Sequence, residues 1–420
     1  MDDTPQELID YIVSFINDDR KTLRHIRLVN HRLNQSSTKH LFLTLDLTIG
    51  LATGYDRAAP SLQQYTRFQA LLSLIQSNPA IPNAVHNVEL DDLGRLSDDE
   101  RQLVHPTLCA ILDYLPRVSS LFLRGICFPR VHTSLLQSLI KKLTSQNLEK
   151  LDIWNCQFSK TDDLLHFLND RCTIRSLRIG LFKEAALPAG QEPTPLFATH
   201  GEEIRENPGA RLDSLTIEKD SPSIIVNALS PTTTTPRAFD LTHIRHLVLT
   251  GIQDLPAANS LLRIIGGSLQ SLYLSSAALQ LSPQDKKPST LDLQFNVNLE
   301  NLRISSLQWT ATQCPADRIC NIFKNDVTLS KLKDIQLVLT AWIKRPHTSL
   351  LYDKWMDLDD LFSNGSSFPS LKSVKVIVHA DNLPPNLKPN PSELIPYFPK
   401  LSRADIISCT LWQDDKRQCL

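Results

Sequence analysis

A pattern of apolar residues that recurs along most of the chain places the strongest constraint on its fold. From Leu148 to Phe158 the sequence fits LxxLxLxx(N/C)xL at every position, with Cys156 at the N/C position. There are about eleven copies, with a period of about 25 to about 39 residues. The looser copies keep apolar residues at the first, fourth and sixth positions, and they begin at Val85, Val118, Ile174, Leu212, Ile244, Leu269, Leu299, Leu332, Leu371 and Leu401.

Helical stretches separate most of these copies. Apolar residues recur there with helical spacing, at residues 67–77, 100–115, 133–143, 161–169, 257–265 and 352–362. A helical crossover between consecutive short strands requires that the strands pair in parallel. The apolar residues of each copy then lie between sheet and helices, where each contributes about 1.5–3 kcal/mol when fully buried. The sequence therefore predicts an α/β fold.

The complete copy is the signature of a leucine-rich repeat, and the chain resembles proteins built from such repeats. The resemblance implies an irregular solenoid over residues 46–413, with a parallel sheet on one face and helices on the other. Segments with turn-forming or polar composition are predicted to be exposed loops at 187–210, 230–236, 282–289 and 381–396, before a polar tail at 414–420. The alternative is a set of unrelated α/β units that contain the pattern by coincidence.

The first forty-odd residues follow a different pattern. Thr4 is predicted to be an N-cap, with Pro5 at the first helical position and Glu7 completing a capping box. A first helix then carries Leu8, Ile12, Phe15 and Ile16, and it ends at Asn17-Asp18-Asp19. A second amphipathic helix carries Leu23, Ile26 and Leu33, while Leu28-Val29 adds apolar surface on another side. Two short helices cannot bury all of this surface against each other, so the pattern indicates a docking module.

This stretch resembles an F-box, the module that docks a protein on an SCF-type ubiquitin ligase. The matching residues are Pro5, Glu7, Leu8, Ile12, Ile16, Leu23, Leu28, Val29 and Arg32, followed by His40-Leu41-Phe42. Thr4, Asn30 and Leu33 depart from the family pattern, which has Leu, Cys or Ser, and Trp there. The resemblance implies that residues 1–45 contact a Skp-family adaptor through Pro5, Leu8, Ile12, Leu28 and Val29. An ordinary helical hairpin that opens a larger domain is the alternative.

Both resemblances together imply a substrate-recognition subunit of an SCF-type ubiquitin ligase. The adaptor would join the chain to a cullin, and the repeats would hold a target protein that the sequence does not identify. The role is then one of proximity rather than chemistry. Two alternatives remain open: a binding scaffold that acts outside a cullin ligase, and an unrecognised enzyme built on the repeat face.

Composition excludes several other classes of protein. Lys and Arg number 44 against 45 Asp and Glu, so the chain lacks the basic field of a dedicated nucleic-acid or anionic-membrane binder. The eight cysteines form no CxxC pair, which favours free thiols in a reducing compartment. No apolar run reaches the length of a membrane span, and Asp2 and Asp3 are unlike a signal peptide. We expect a cytoplasmic or nuclear protein.

Motifs for catalysis, cofactors or metals are not found. The sequence has no GxGxxG, GxxxxGK, GxSxG or HExxH, so we expect no enzyme, cofactor or metal site. His243 and His246 are predicted to be exposed imidazoles, and Gly266-Gly267 to be C-cap residues. The doublets Asp91-Asp92, Asp98-Asp99, Asp162-Asp163 and Asp359-Asp360 are predicted to precede or open helices. For Trp154, Trp309 and Trp342, a binding surface and core packing remain equally open.

Overall fold

The computed structural model describes residues 4–16, 19–49, 60–160, 163–164, 167–168, 173–184, 210–218, 239–251, 255–275, 291–309, 315–323, 328–341, 352–379 and 391–411. The chain divides into two units, Met1–Ala210 and Arg211–Leu420. Each unit is α/β and contains a parallel sheet whose strands lie side by side in the order in which they occur in the chain. The predicted α/β fold with parallel strands is therefore confirmed.

The first unit holds a parallel sheet of five described strands and a minor two-stranded sheet. The main strands, in spatial order, are β1 (Thr44–Thr48), β2 (Asn87–Asp91), β3 (Ser120–Arg124), β4 (Lys150–Trp154) and β6 (Ser176–Gly180). The minor pair is β5 (Gln157–Phe158) with β7 (Lys183–Glu184). Its helices are α1 (Gln6–Ser14), α2 (Arg20–Ile26), α3 (His31–Phe42), α4 (Pro60–Ser77), α5 (Ala80–Ala84), α6 (Asp98–Asp113) and α7 (Thr133–Leu143), with 3₁₀ turns at Leu93–Arg95 and Phe128–Arg130.

The second unit repeats this organisation. Its parallel strands, in spatial order, are β9 (Ser214–Glu218), β11 (His246–Thr250), β12 (Ser271–Ser275), β13 (Asn301–Trp309), β14 (Asp334–Ala341), β15 (Ser373–His379) and β16 (Ile407–Leu411). The short strands β8 (Ala210–Arg211) and β10 (Phe239–Asp240) pair with each other. The helices are α8 (Leu255–Ile265), α9 (Pro315–Ile322), α10 (Tyr352–Phe362) and α11 (Pro399–Arg403), with 3₁₀ turns at Leu241–His243, Gly266–Ser268 and Pro391–Tyr397.

The predicted register is confirmed for every copy of the pattern except the last. In β3 and β4, for example, Leu121 pairs with Leu151 and Leu123 pairs with Ile153, and all four side chains are buried. Residues at the first position of these copies, such as Leu148, are buried as well, except Leu371, which is partly buried. Residues between the buried ones point to the other face of the sheet, because side chains alternate along a strand. Each sheet therefore has one apolar face and one mainly polar face, on which Val338 and Ile377 are nevertheless buried.

Two ends of the array differ from the prediction. The last copy is wrong, because Leu401 lies in α11 and the strand is Ile407–Leu411 rather than the residues around Ala404. Strand β1 was not predicted; its Leu45 and Leu47 are buried, and it spans the predicted boundary between residues 45 and 46. Most of the predicted exposed loops lie outside the described residues. These are 230–236, 282–289, the tail at 414–420 and all of 187–210 except its last residue. Residues 391–396 form most of a 3₁₀ helix.

Helix prediction succeeded for long amphipathic stretches and failed at one capping motif. Helices α7 and α10 have the predicted bounds, while α4, α6 and α8 begin earlier than predicted. The predicted helix at 161–169 is described at four of its residues only. The capping box at Thr4 is wrong, since α1 begins at Gln6 and has no side-chain cap. A capping box instead starts α6, where the Ser97 hydroxyl and the Glu100 carboxylate accept hydrogen bonds from each other's backbone N–H.

The predictions for the aspartate doublets are also right in one case and wrong in another. Asp98 and Asp99 lie in the first turn of α6, as predicted. The prediction for Asp359-Asp360 is wrong, because both residues lie near the end of α10. Asp359 is fully buried, and its carboxylate accepts hydrogen bonds from the backbone N–H groups of Lys400 (2.9 Å) and Leu401 (3.0 Å) at the start of α11. It therefore caps a helix other than its own.

Asp359→Asn should lower the free energy of unfolding by about 1–3 kcal/mol, because an amide offers one acceptor oxygen where the carboxylate offers two charged ones. Urea unfolding followed by circular dichroism measures this loss. Asp360→Asn is the matched control. Asp360 is exposed and makes a surface ion pair with Lys400 at 2.7 Å, so its loss should cost less than about 1 kcal/mol. Equal effects of the two substitutions would contradict the capping role of Asp359.

Cys156 should be almost inert to alkylation in the folded protein. It occupies the N/C position of the complete copy, it is fully buried, and burial raises the pKa of its thiol to about 12. At pH 8 only about one thiol in ten thousand is then ionised. Mass spectrometry after iodoacetamide treatment should show slow labelling of Cys156, rapid labelling in urea, and faster native labelling of the partly exposed Cys109. Equal native labelling of both cysteines would contradict the predicted register.

Candidate functional site

Helices α1, α2 and α3 pack together as a small helical head, residues 6–42. Its core consists of Ile9, Val13 and Leu23, against which Ile16, Leu33 and Leu41 pack while partly buried. The Gln6 side chain joins α1 to α3: its oxygen accepts from Arg32 Nε at 3.2 Å, and its amide nitrogen donates to the Arg32 carbonyl at 3.4 Å. The head thus has its own apolar core, although it is small.

An ion pair fixes the same two helices. Lys39 Nζ of α3 lies 2.9 Å from Asp10 Oδ2 of α1. Burial raises the pKa of the Asp10 carboxyl, but the hydrogen bonds from Lys39 and Gln6 outweigh burial and hold this pKa below its ordinary value. Because both partners are partly exposed, the pair orients α1 more than it stabilises the fold.

Helix α1 carries a second apolar stripe that the core does not use. Leu8, Tyr11, Ile12 and Phe15 follow one another at the spacing of a single helix face, and all four side chains are exposed. Phe15 is 70% exposed, and its ring makes an edge-to-face contact with that of Tyr11 at 4.8 Å. Ile16 was predicted to belong to this stripe, but it packs against the core. Tyr11 was not predicted, although the spacing from Leu8 to Phe15 would have revealed it.

Leu28 and Val29 are two neighbouring apolar residues of the head that are strongly exposed. They lie in a turn between α2 and α3, with 78% and 66% of their side-chain surfaces exposed. The predicted single helix from Leu23 to Leu33 is therefore wrong. Asn30 interrupts it, because its backbone is extended and its side-chain oxygen accepts a hydrogen bond from Leu33 N at 2.8 Å, which starts α3.

The five residues assigned to adaptor contact are therefore all accessible: Pro5, Leu8, Ile12, Leu28 and Val29. Together with Tyr11 and Phe15 we call them the exposed apolar face. So many large apolar side chains in one small module are characteristic of a surface that another protein covers. The described part of the chain does not cover them.

A second candidate lies on the polar face of the first unit's sheet. Trp154 is only partly buried there, and the Arg178 guanidinium lies 5.3 Å from the centre of its ring. Arg178 Nη1 also lies 3.3 Å from Asp152 Oδ2, and a pocket of about 440 Å³ adjoins all three residues. Burial raises the pKa of the Asp152 carboxyl, and the nearby Arg178 offsets only part of this rise. Trp154 is thus suited to binding, whereas the Trp309 side chain and Trp342 lie outside what the structure describes.

This arrangement offers hydrogen bonds and stacking to a bound group. Within the described ranges, no group of three or more His, Cys, Asp or Glu side chains could hold a metal ion. His243 and His246 are exposed, as predicted, and His243 Nε2 lies 3.3 Å from Asp240 Oδ2. Gly266 follows α8 with a φ of 58°, the left-handed conformation expected of a C-cap glycine. None of the helices that the structure describes has the length and apolar character needed to span a membrane.

Comparison with known proteins found no match from which the site could be interpreted. No protein-family model matches the sequence, and no curated protein matches it.

Proposed function

We propose that this chain is a substrate-recognition subunit of an SCF-type ubiquitin ligase. In this proposal the helical head is an F-box that docks on a Skp-family adaptor, and the adaptor joins it to a cullin. The parallel strands and their helices are leucine-rich repeats that hold a target protein. The observation that carries the proposal is the exposure of Leu28 and Val29 in a head whose core is formed by other residues.

The repeat assignment rests on register and chemistry together. Consecutive copies pair in parallel with their apolar positions aligned, as in β11 and β12, where Leu247 faces Leu272 and Leu249 faces Leu274. The Cys156 thiol lies within hydrogen-bonding distance of the Leu123 carbonyl at 3.4 Å, so the N/C position binds the backbone of the preceding copy. These contacts are those that a stack of repeats needs.

Such a subunit would accelerate ubiquitin transfer by proximity. Target lysines held by the repeats would be kept near a conjugating enzyme that the cullin brings, at a high effective concentration. The chain itself would need no catalytic group. A cytoplasmic or nuclear location follows from this role, and the free thiols of Cys109, Cys127, Cys156, Cys320 and Cys409 in the described residues suit such a reducing compartment.

Co-purification of the full chain with a Skp-family adaptor and a cullin tests the proposal. We expect a stoichiometric complex that transfers ubiquitin to captured proteins, and we expect a chain without residues 1–42 to lose the adaptor and the cullin but to retain its targets. Adaptor binding without a cullin would favour a scaffold that acts outside a ligase. Failure to bind any Skp-family adaptor would overturn the proposal.

A further inference from the structure

A cleft of about 800 Å³ lies beside the helical head, within the first unit. One wall is α3, and the opposite wall is formed by the end of α4, by α5 and by the segment that carries Arg117. The volume is within the range of about 300–1,000 Å³ that is common for ligand sites. The exposed apolar face does not contribute to it, since none of that face's residues lines the cleft.

The charged and histidine side chains of the cleft lining, which we call its rim, are mostly basic. Arg27, Lys39 and Arg117 line the rim, with His31, His40 and His86, and Asp10 is the one acidic side chain in the lining. The Asp10 carboxylate already forms an ion pair with Lys39, at 2.9 Å. Among the described residues, neither Arg27 nor Arg117 has an ion-pair partner, and both are exposed. Two guanidinium groups therefore offer unused positive charge at the edge of a cavity.

Apolar side chains form another part of the lining, which we call its floor, and neutral polar residues also line the cleft at Asn34, Gln35, Thr38, Asn78 and Asn83. Leu43 and Leu74 line the floor and are more than 40% exposed, although both are large aliphatic side chains. Ile81, Ala84 and Phe42 line the same floor with less exposure. An apolar floor with basic groups at the rim suits a ligand that has both apolar side chains and negative charge.

We propose that this cleft binds an acidic segment of a partner protein, one that carries aliphatic side chains among its carboxylates. Its leucine- or isoleucine-like side chains would cover Leu43 and Leu74, and its carboxylates would pair with Arg27 and Arg117. Charge complementarity identifies the occupant, because the floor alone would accept any apolar chain. This site is separate from the docking of the helical head on an adaptor and does not depend on it.

A protein segment fits the cleft better than a nucleic acid does. Single-stranded nucleic acids bind on aromatic side chains that stack with bases, over a basic groove that follows several phosphates. Here the floor is mainly aliphatic, and the whole chain has a formal net charge of −1. The rim supplies a few cations around an apolar floor rather than a continuous basic track.

Fluorescence anisotropy with the full chain tests the proposal. The probe is a short fluorescein-labelled peptide of glutamate and leucine, and two variants of it carry glutamine for glutamate or serine for leucine. We expect saturable binding of the first peptide only, weakened by added salt because the charges are exposed. Saturable binding of the glutamine peptide with equal affinity, or no binding of the glutamate peptide, would overturn the proposal.

Substitutions locate the binding site. Arg27→Glu and Arg117→Glu should each weaken the peptide about tenfold, since each reverses an attraction, and Leu74→Ser should weaken it several-fold. Arg175→Glu is the control, because Arg175 is exposed in the same unit and does not line the cleft. Unchanged affinity in both cleft arginine variants would contradict the proposal. So would an oligonucleotide that binds in place of the peptide with the same arginine dependence, or self-association of the chain that Arg117→Glu abolishes.

Discussion

Leu28→Asp should weaken binding of the full chain to a Skp-family adaptor by at least about a hundredfold. The substitution places a carboxylate where the adaptor would cover an apolar side chain, and burying an unpaired charge costs several kcal/mol. In the free chain the Leu28 side chain is 78% exposed, so the aspartate stays in water there. Thermal unfolding of the free chain should therefore change little, within about 0.5 kcal/mol. Isothermal titration with purified adaptor measures the loss.

A matched control uses the same substitution at another exposed leucine. Leu103 lies on α6 with half of its side chain exposed, and it is not part of the helical head. Leu103→Asp makes the same chemical change outside the helical head, so it should retain the affinity of the unmodified chain. Full adaptor binding by Leu28→Asp, or equal loss in the two variants, would remove Leu28 from the docking surface.

The local spacing of apolar residues was enough to predict most of the sheets. In a short strand, the face that each side chain occupies follows from alternation alone, and a copy such as Leu269-Leu272-Leu274 therefore determines its own register. The partner strand is the neighbouring copy, because a helical crossover permits only parallel pairing. Neither step needs contacts between distant parts of the sequence.

Prediction failed where the decisive contact is not local. Asp359 lies in α10 but caps α11, which is forty residues later in the chain, and sequence gives no sign of that pairing. At the start of α1, the backbone conformation explains why the predicted capping box is absent. Pro5 is extended there, with a ψ of 142°, so the helix begins at Gln6 and the spacing between Thr4 and Glu7 no longer matches a capping box.

The candidate sites show the same limit. Helical spacing identified Leu8, Ile12 and Phe15 as apolar surface, and the structure adds Tyr11 to the same helix face. The basic cleft could not be predicted, because it brings together residues from Asp10 to Arg117. No single stretch of the sequence is basic enough to indicate it.

Leu151→Asp should cost about 4 kcal/mol or more and disrupt the first unit. Leu151 is the fully buried second residue of β4, where it pairs with Leu121 of β3 and Leu177 of β6. Aspartate would lose the burial of a large aliphatic side chain and would place an unpaired charge against the apolar face. That cost is a large part of the total stability of a typical domain, about 5–15 kcal/mol. Circular dichroism during urea unfolding, with hydrogen exchange to locate the change, measures the effect.

Glu149→Ala and Lys150→Ala are the controls in the same strand region, because both side chains are exposed. The backbone hydrogen bonds of residue 149, to the Ser119 carbonyl and from the N–H groups of residues 175 and 176, do not depend on its side chain. Lys150→Ala removes a cation 5.4 Å from the Phe122 ring, a contact that contributes about 0.5–1 kcal/mol at an exposed site. If all three variants unfolded at the same urea concentration, Leu151 would not face the apolar layer. The register predicted for the copies of the pattern would then be wrong, because Leu151 is aligned with the equivalent buried residues of both neighbouring strands, β3 and β6.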